Sequence, residues 1–255
     1  MEVLVVGNTA YVDDDFCAKA FPGDHVQVVA AQDTRHDESS PHSSWKELLQ
    51  HLDQAYEFDR VVYLSNYLTP HTDSVGDIEL LRSVFRARMG RRIQLLYIAG
   101  PAGAEGAADA VGRTGKGIIA RAANDLCRYY AAREGVQTKI LRVPFLYTAS
   151  AALEDPFLAP LFDACLTGSV ALQGAQDAAF PLLCAEELAV LVRRIFDSWD
   201  GNFETLDVAD TFHHASGEVG EALKALFPGL SVAYGDSAGY ALPVSDVARV
   251  RYGWF

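Results

Sequence analysis

Glu2-Val3-Leu4-Val5-Val6-Gly7-Asn8-Thr9-Ala10-Tyr11-Val12-Asp13-Asp14-Asp15-Phe16-Cys17 is the stretch that decides the fold. It opens with an apolar, largely β-branched run closed by a glycine. The pattern of Phe16, Ala18 and Phe21 that follows suits a helix, so a strand runs directly into a helix. Pro22-Gly23 stops that helix, and His25 to Ala30 reads as a second strand. Outward from there the alternation repeats. A helix is expected over 44–56, with Trp45, Leu48, Leu49 and Leu52 inward, then strands at 60–65 and 93–99 around a helix near 75–89. A long helix near 116–133 leads into a strand at 137–141. This rhythm predicts an α/β fold, a Rossmann-like doubly wound parallel sheet with helices on both faces. From Pro144 the pieces shorten, with helical runs at 185–198 and 216–227. The expected division is a core over 1–143 and a smaller C-terminal α/β lobe over 144–255 that returns elements to the core.

The 255 residues are 50% hydrophobic and 22% charged, which fits a domain with a full core. The 34 acidic and 21 basic residues give a net charge of -13, so neither nucleic acid nor membrane is expected as a partner. The start has no cationic leader, and no apolar run approaches the ~20 residues of a membrane helix, so a cytoplasmic protein is expected. Cys17, Cys127, Cys165 and Cys184 stand far apart with no CxxC pair and read as core thiols. His36, His42 and the pair His213-His214 lack a helical metal spacing, so no metal is expected.

Several short matches, in order along nearly the whole chain, resemble the extended short-chain dehydrogenase/reductase family, the NAD-dependent epimerase/dehydratase group. They are the Val3-Leu4-Val5-Val6-Gly7 turn, Asp59 through Ser65, Leu95-Leu96-Tyr97-Ile98-Ala99, Tyr130 through Gly135 to Ile140-Leu141-Arg142, and Tyr147. Gly174-Ala175-Gln176-Asp177 before the 182–188 run, and Val247-Ala248 with Tyr252-Gly253-Trp254, complete the series. The resemblance implies nicotinamide-dependent redox chemistry, often on a nucleotide sugar. Its parts are a Tyr acid/base, a Lys that lowers the pKa of that Tyr, and a Ser or Thr that holds the substrate oxygen.

Carried over residue by residue, those parts are missing. The family's GxxGxxG falls on Gly7, Ala10 and Asp13, leaving Gly7, Asn8 and Thr9 as the candidate cofactor-binding residues. Asp13, Asp14 and Asp15 suit the positive end of a helix dipole by ~0.3–1 kcal/mol each. A like-charge pair at ~4 Å and an effective dielectric near 20 costs about 4 kcal/mol, half of the roughly 8 kcal/mol of ordinary cofactor binding. The acidic residue for the adenine ribose falls on Ala30 or Ala31, with Asp33 off register. No cofactor is therefore expected, with NAD(P) as the alternative. The tyrosine and lysine of YxxxK fall on Lys116 and Ala120, and the serine on Ala99 or Gly100. No YxxxK occurs anywhere in the chain. Tyr129 and Tyr130 lie three to four helical turns further on and read as packing residues.

Two chemistries remain open for this edge of the sheet. Arg113, Lys116 and Arg121 form a basic group, either solvated or an anion site at a helix start. Lys116, if desolvated, would be the candidate catalytic base or Schiff-base nucleophile. Ser65, Asn66 and Arg113 are the candidate ligand-cleft residues, and Asp177, Glu186 and Glu187 the carboxylates facing the second lobe. The leading expectation is a non-catalytic member of the fold acting as a structural or regulatory subunit. It would work in a homo- or hetero-oligomer, beside an active relative in the heteromeric case, with Phe85, Leu126 and Tyr129 as interface candidates. The alternatives are an enzyme or small anionic-ligand binder of altered chemistry near Lys116, then an NAD(P)-dependent oxidoreductase or epimerase.

Overall fold

The computed structural model describes residues 1–7, 11–30, 58–65, 75–87, 93–100, 115–148, 158–172, 174–179, 182–208, 214–236 and 247–254. The helix expected over 44–56 and the question of a third strand between Ala31 and Ser44 lie outside these residues.

Among the described residues the chain begins with strand β1 (Glu2–Gly7), helix α1 (Asp14–Ala20) and strand β2 (His25–Ala30). Val3, Leu4, Val5 and Val6 are all buried, as expected of a central parallel strand covered on both faces. Each such side chain contributes about 1.5–3 kcal/mol on burial. Helix α1 starts at Asp13, whose carboxylate accepts from the Phe16 N–H at 2.8 Å. Asp14 and Asp15 occupy its first turn, and Lys19 pairs with Asp15 one turn on.

The alternation continues with β3 (Arg60–Leu64), α2 (Val75–Ala87), β4 (Gln94–Ala99), α3 (Gly115–Glu134) and β5 (Gln137–Arg142). Gly135, at φ +67°, takes the left-handed conformation that ends α3 and turns the chain into β5. Strand β9 (Phe203–Asp207) pairs parallel with β5 and completes a six-stranded sheet of order β2-β1-β3-β4-β5-β9. All its pairings are parallel. Val3, Val5, Val62, Leu64, Leu96, Ile98 and Leu141 point to one face, against α1 and helix α5 (Ala185–Asp197). Leu4, Val6, Val61, Tyr63, Leu95, Tyr97 and Ile140 point to the other, against α2 and α3. The doubly wound expectation is what the structure shows.

The rest of the C-terminal half is built from shorter pieces. Strands β6 (Phe145–Tyr147) and β8 (Leu182–Cys184) form one parallel pair. Strands β7 (Ser169–Leu172) and β10 (Ser231–Tyr234) form another. Helices α4 (Leu158–Leu166) and α6 (Ser216–Leu226) share a small core of Cys165, Val170, Leu172, Leu223 and Leu230 with that second pair. Helix α5 returns to the main sheet, burying Ala185, Leu188, Ala189, Leu191, Val192, Ile195 and Phe196 along one stripe. The described chain closes with the short helix α7 (Val247–Tyr252).

Candidate functional site

The strand order reverses between β1 and β3, because the chain leaves β1 for β2 on one side and returns to β3 on the other. In open α/β sheets the crevice outside the carboxyl ends of the strands at such a switch point is where ligands bind. Gly7 and Ser65 flank it here. A Cβ on Gly7 would stand 2.7 Å from the Leu64 Cβ, so glycine is required for β1 to lie this close to β3. Ser65 is buried at 3% exposure, and its backbone N–H donates to the Ile98 carbonyl at 2.9 Å. Its backbone thus continues the β3–β4 ladder at the carboxyl end of the strands. Asn8, Thr9, Asn66 and Arg113 lie outside the described residues.

Across the sheet the same edge carries Ala99, in register with Arg142, and Arg142 in register with Asp207. The Arg142 guanidinium donates to both Asp207 carboxylate oxygens, at 2.6 and 2.7 Å. Both side chains are largely buried, so this bidentate pair fastens β9 to β5. Helix α3 places Lys116 in its first turn, while its side chain lies outside the described residues. Ala120 follows one turn later and is buried at 4% exposure. The position expected from sequence to match the family's lysine is thus a buried methyl group.

The tyrosines of α3 serve packing. Tyr130 stacks on Phe85 at 4.3 Å, and Tyr129 meets Tyr130 edge-on at 5.4 Å. Tyr129 lies about 20 Å along the helix from Lys116. Phe85 is completely buried, so of the three interface candidates it faces the core. Tyr129, 55% exposed, faces outward.

Sequence reasoning missed the titratable cluster of this half of the molecule. Strand β6 follows β5 after two residues, and its register sets Tyr147 beside Cys184 of β8. Leu146 and Leu183 point into the core, which leaves Tyr147 and Cys184 on the half-buried face. The Cys184 thiol donates to the Glu186 carboxylate at 2.5 Å. Burial pushes the Cys184 pKa up, and the bond to Glu186 adds to it, against the helix N–H groups of Glu186 and Glu187. Burial likewise raises the Tyr147 pKa, helped by the charges of Cys184 and Glu187. Both groups keep their protons at neutral pH. A phenol that exchanges protons in catalysis needs its pKa moved toward the working pH, and this environment moves it away. Cys17, Cys127 and Cys165 are buried free thiols, as read from sequence, whereas Cys184 is only half-buried. The signal for the difference is alternation: Cys184 is two residues from Leu182 on the outward face of a three-residue strand.

Asp177 lines a separate open cavity of about 920 Å³ with Gln176, His214, Glu218 and Glu221. The first N–H groups of α6 are already taken there, Ser216 donating to the Ala178 carbonyl and Gly217 to that of Gln176. Among the described residues, no three His, Cys, Asp or Glu side chains gather to hold a metal, and no helix is long and apolar enough to cross a membrane.

No family model matches the sequence, and no curated relative matches it. Solved structures of sugar-nucleotide epimerases and dehydratases match over the whole chain, and at these low identities the likeness shows that this chain shares their fold. UDP-N-acetylglucosamine 4-epimerase from Bacillus cereus aligns with a TM-score of 0.69 at 15% identity, over 99% of this chain and 90% of its own. DesIV, a dTDP-glucose 4,6-dehydratase from Streptomyces venezuelae with NAD bound, aligns with a TM-score of 0.70 at 11% identity, over 100% of this chain and 92% of its own. The dTDP-glucose 4,6-dehydratase from Bacillus anthracis in complex with NAD gives 0.70 at 14%, covering 100% and 91%. These structures correct the expectation of no cofactor, because in both dehydratases this fold holds NAD. That expectation weighed two absent glycines and three aspartates. A crevice at a switch point is made by the strand ends of the whole sheet, and Asp13 directs its carboxylate to its own helix by capping Phe16.

Proposed function

We propose that this protein binds a nicotinamide dinucleotide at the β1/β3 crevice without the Tyr–Lys proton chemistry of the dehydrogenases, and serves as a binding or regulatory subunit. The observation that carries the reading is a contrast within one edge of the sheet. The sheet has its switch point between β1 and β3, whereas Ala120, to which the sequence resemblance assigns the lysine, is a buried methyl group. What supports the fit is that Gly7 and Ser65 end β1 and β3 at this switch point, with Gly7 letting the two strands lie close together. A bound dinucleotide supplies hydride chemistry. The chain's own residues supply a binding surface and, in Tyr147 and Cys184, groups that stay protonated and act as hydrogen-bond donors.

Titration with NADH and NADPH, read by tryptophan fluorescence and thermal shift, tests the binding half. Saturable binding with a rise in Tm is expected, because a ligand of the folded state stabilises it. No response at millimolar cofactor overturns it. Turnover of a nucleotide sugar by the loaded protein overturns the non-catalytic half. If Lys116→Ala abolishes such a turnover in a folded protein, the altered-chemistry reading at the start of α3 replaces it.

The partner part of the proposal rests on α3, whose outer face exposes Ile118 at 54% and Tyr129 at 55%. A second copy or an active relative would cover them. Sedimentation of wild type and Tyr129→Arg tests this: the variant should shift toward monomer with its fold unchanged.

A further inference from the structure

Lys139 of β5 is 1% exposed, and its ammonium donates to Asp200 at 3.1 Å, Glu204 at 2.5 Å and the Tyr252 hydroxyl at 3.2 Å. Desolvation pulls its pKa down, but the bonds to Glu204, Tyr252 and Asp200 together outweigh it, and Lys139 stays charged. The Trp199 and Tyr252 rings lie 5.3 and 5.9 Å from the ammonium. Arg251 also bonds to Asp200 and Glu204. A buried charge in the main sheet is thus compensated partly from helix α7, near the end of the sequence.

Helix α7 has six residues, too few to be stable as an isolated helix. Ala248 and Tyr252 enter the core, while Val247 and Val250 are 46% and 77% exposed. Beyond α7, Arg194 donates to the carbonyls of Tyr252 and Gly253, and the Trp254 indole N–H donates to the Glu187 carbonyl at 3.3 Å. The segment therefore lies along α5 from its last turn to its first. Its ionic ties run from Arg251, 38% exposed, to Asp200 at 58% and to Glu204 at 22%, on the solvent side of the network where ion pairs are screened by salt.

We propose that Val247–Trp254 is an electrostatically held latch that opens as a unit before the sheet does. Its last fastening is at Glu187, next to the Glu186 carboxylate that holds the Cys184 thiol, so opening loosens the turn carrying that thiol's partner. The latch is independent of dinucleotide binding, and its test uses the ligand-free chain.

Hydrogen exchange of the intact protein, followed by mass spectrometry, reads the latch directly. Peptides covering 247–254 are expected to exchange faster than those of β1 and β3, and about two- to fivefold faster again in Arg251→Ala. Raising salt from about 0.05 to about 0.5 M should have the same direction of effect on the wild type, with no variant needed. Labelling of Cys184 by a thiol reagent should rise in step, while strand exchange stays unchanged. Equal exchange of 247–254 and the strands overturns the latch, as does indifference of that segment to both salt and Arg251→Ala. Faster exchange of the segment with unchanged Cys184 labelling overturns the coupling to α5.

Discussion

The carboxyl edge of the sheet and the cluster around Lys139 differ in where charge is placed. At the edge, across β3, β4 and β5, stand Ser65, Ala99 and an Arg142 already neutralised by Asp207, under a helix that presents Ala120. Along β5 and β9, Lys139, Asp200, Glu204 and Arg251 form one network with Tyr252. The difference teaches that one buried pair, Arg142 with Asp207, ties strand to strand, whereas the Lys139 network ties Val247–Tyr252 to the sheet, through the Tyr252 hydroxyl inside and Arg251 outside.

The comparison breaks most readily at Lys139. Lys139→Ala leaves Glu204 half-buried beside one remaining cation, and a loss of about 3 kcal/mol in urea unfolding is expected. A neutral result would reduce the network to surface pairs. At the other region, Ala120→Lys puts an ammonium where the structure has a buried methyl group. A cost of at least about 2 kcal/mol is expected, and tolerance without loss would reveal polar space at the edge. Asp207→Ala, which removes the bidentate carboxylate from the largely buried Arg142, should cost about 2 kcal/mol, measured the same way. Asp13→Ala removes the α1 cap and should cost about 1 kcal/mol. If it also tightens NADH binding, the aspartates oppose the dinucleotide diphosphate after all.

The pH dependence acts outside both regions. Burial, with the nearby charges of Asp14 and Asp13, raises the Cys17 pKa from 9.0 to about 11, and burial raises that of Cys127 further. Unfolded thiols ionise from pH 9 while these hold their protons. Their contribution is fully present below pH 9 and is lost as pH rises toward 11 and beyond. The urea midpoint should fall over that range, less steeply in Cys127→Ala.

Legibility followed sequence distance. The β1–turn–α1 unit, the stop at Pro22-Gly23 and the helix that became Gly115–Glu134 are set by local apolar period and turn chemistry, and the structure shows each. The Arg142–Asp207 and Lys139–Glu204 pairs each span 65 positions, and no local pattern marks either. Phe85 and Tyr129 look alike on paper as aromatics of amphipathic helices. Packing of α2 on α3 buries the first and exposes the second.

The sequence by itself determined the alternation of strands and helices, the acidic balance, and the absence of a YxxxK pair. These depend on residue type and short spacing, which the 3.6 and 2.0 periods of the backbone translate directly into elements. Only the tertiary structure decided which charges meet, which cysteine reaches the half-buried face, and where Val247–Trp254 is fastened. Those outcomes depend on sheet register and strand order, which bring together residues as distant as Lys139 and Tyr252.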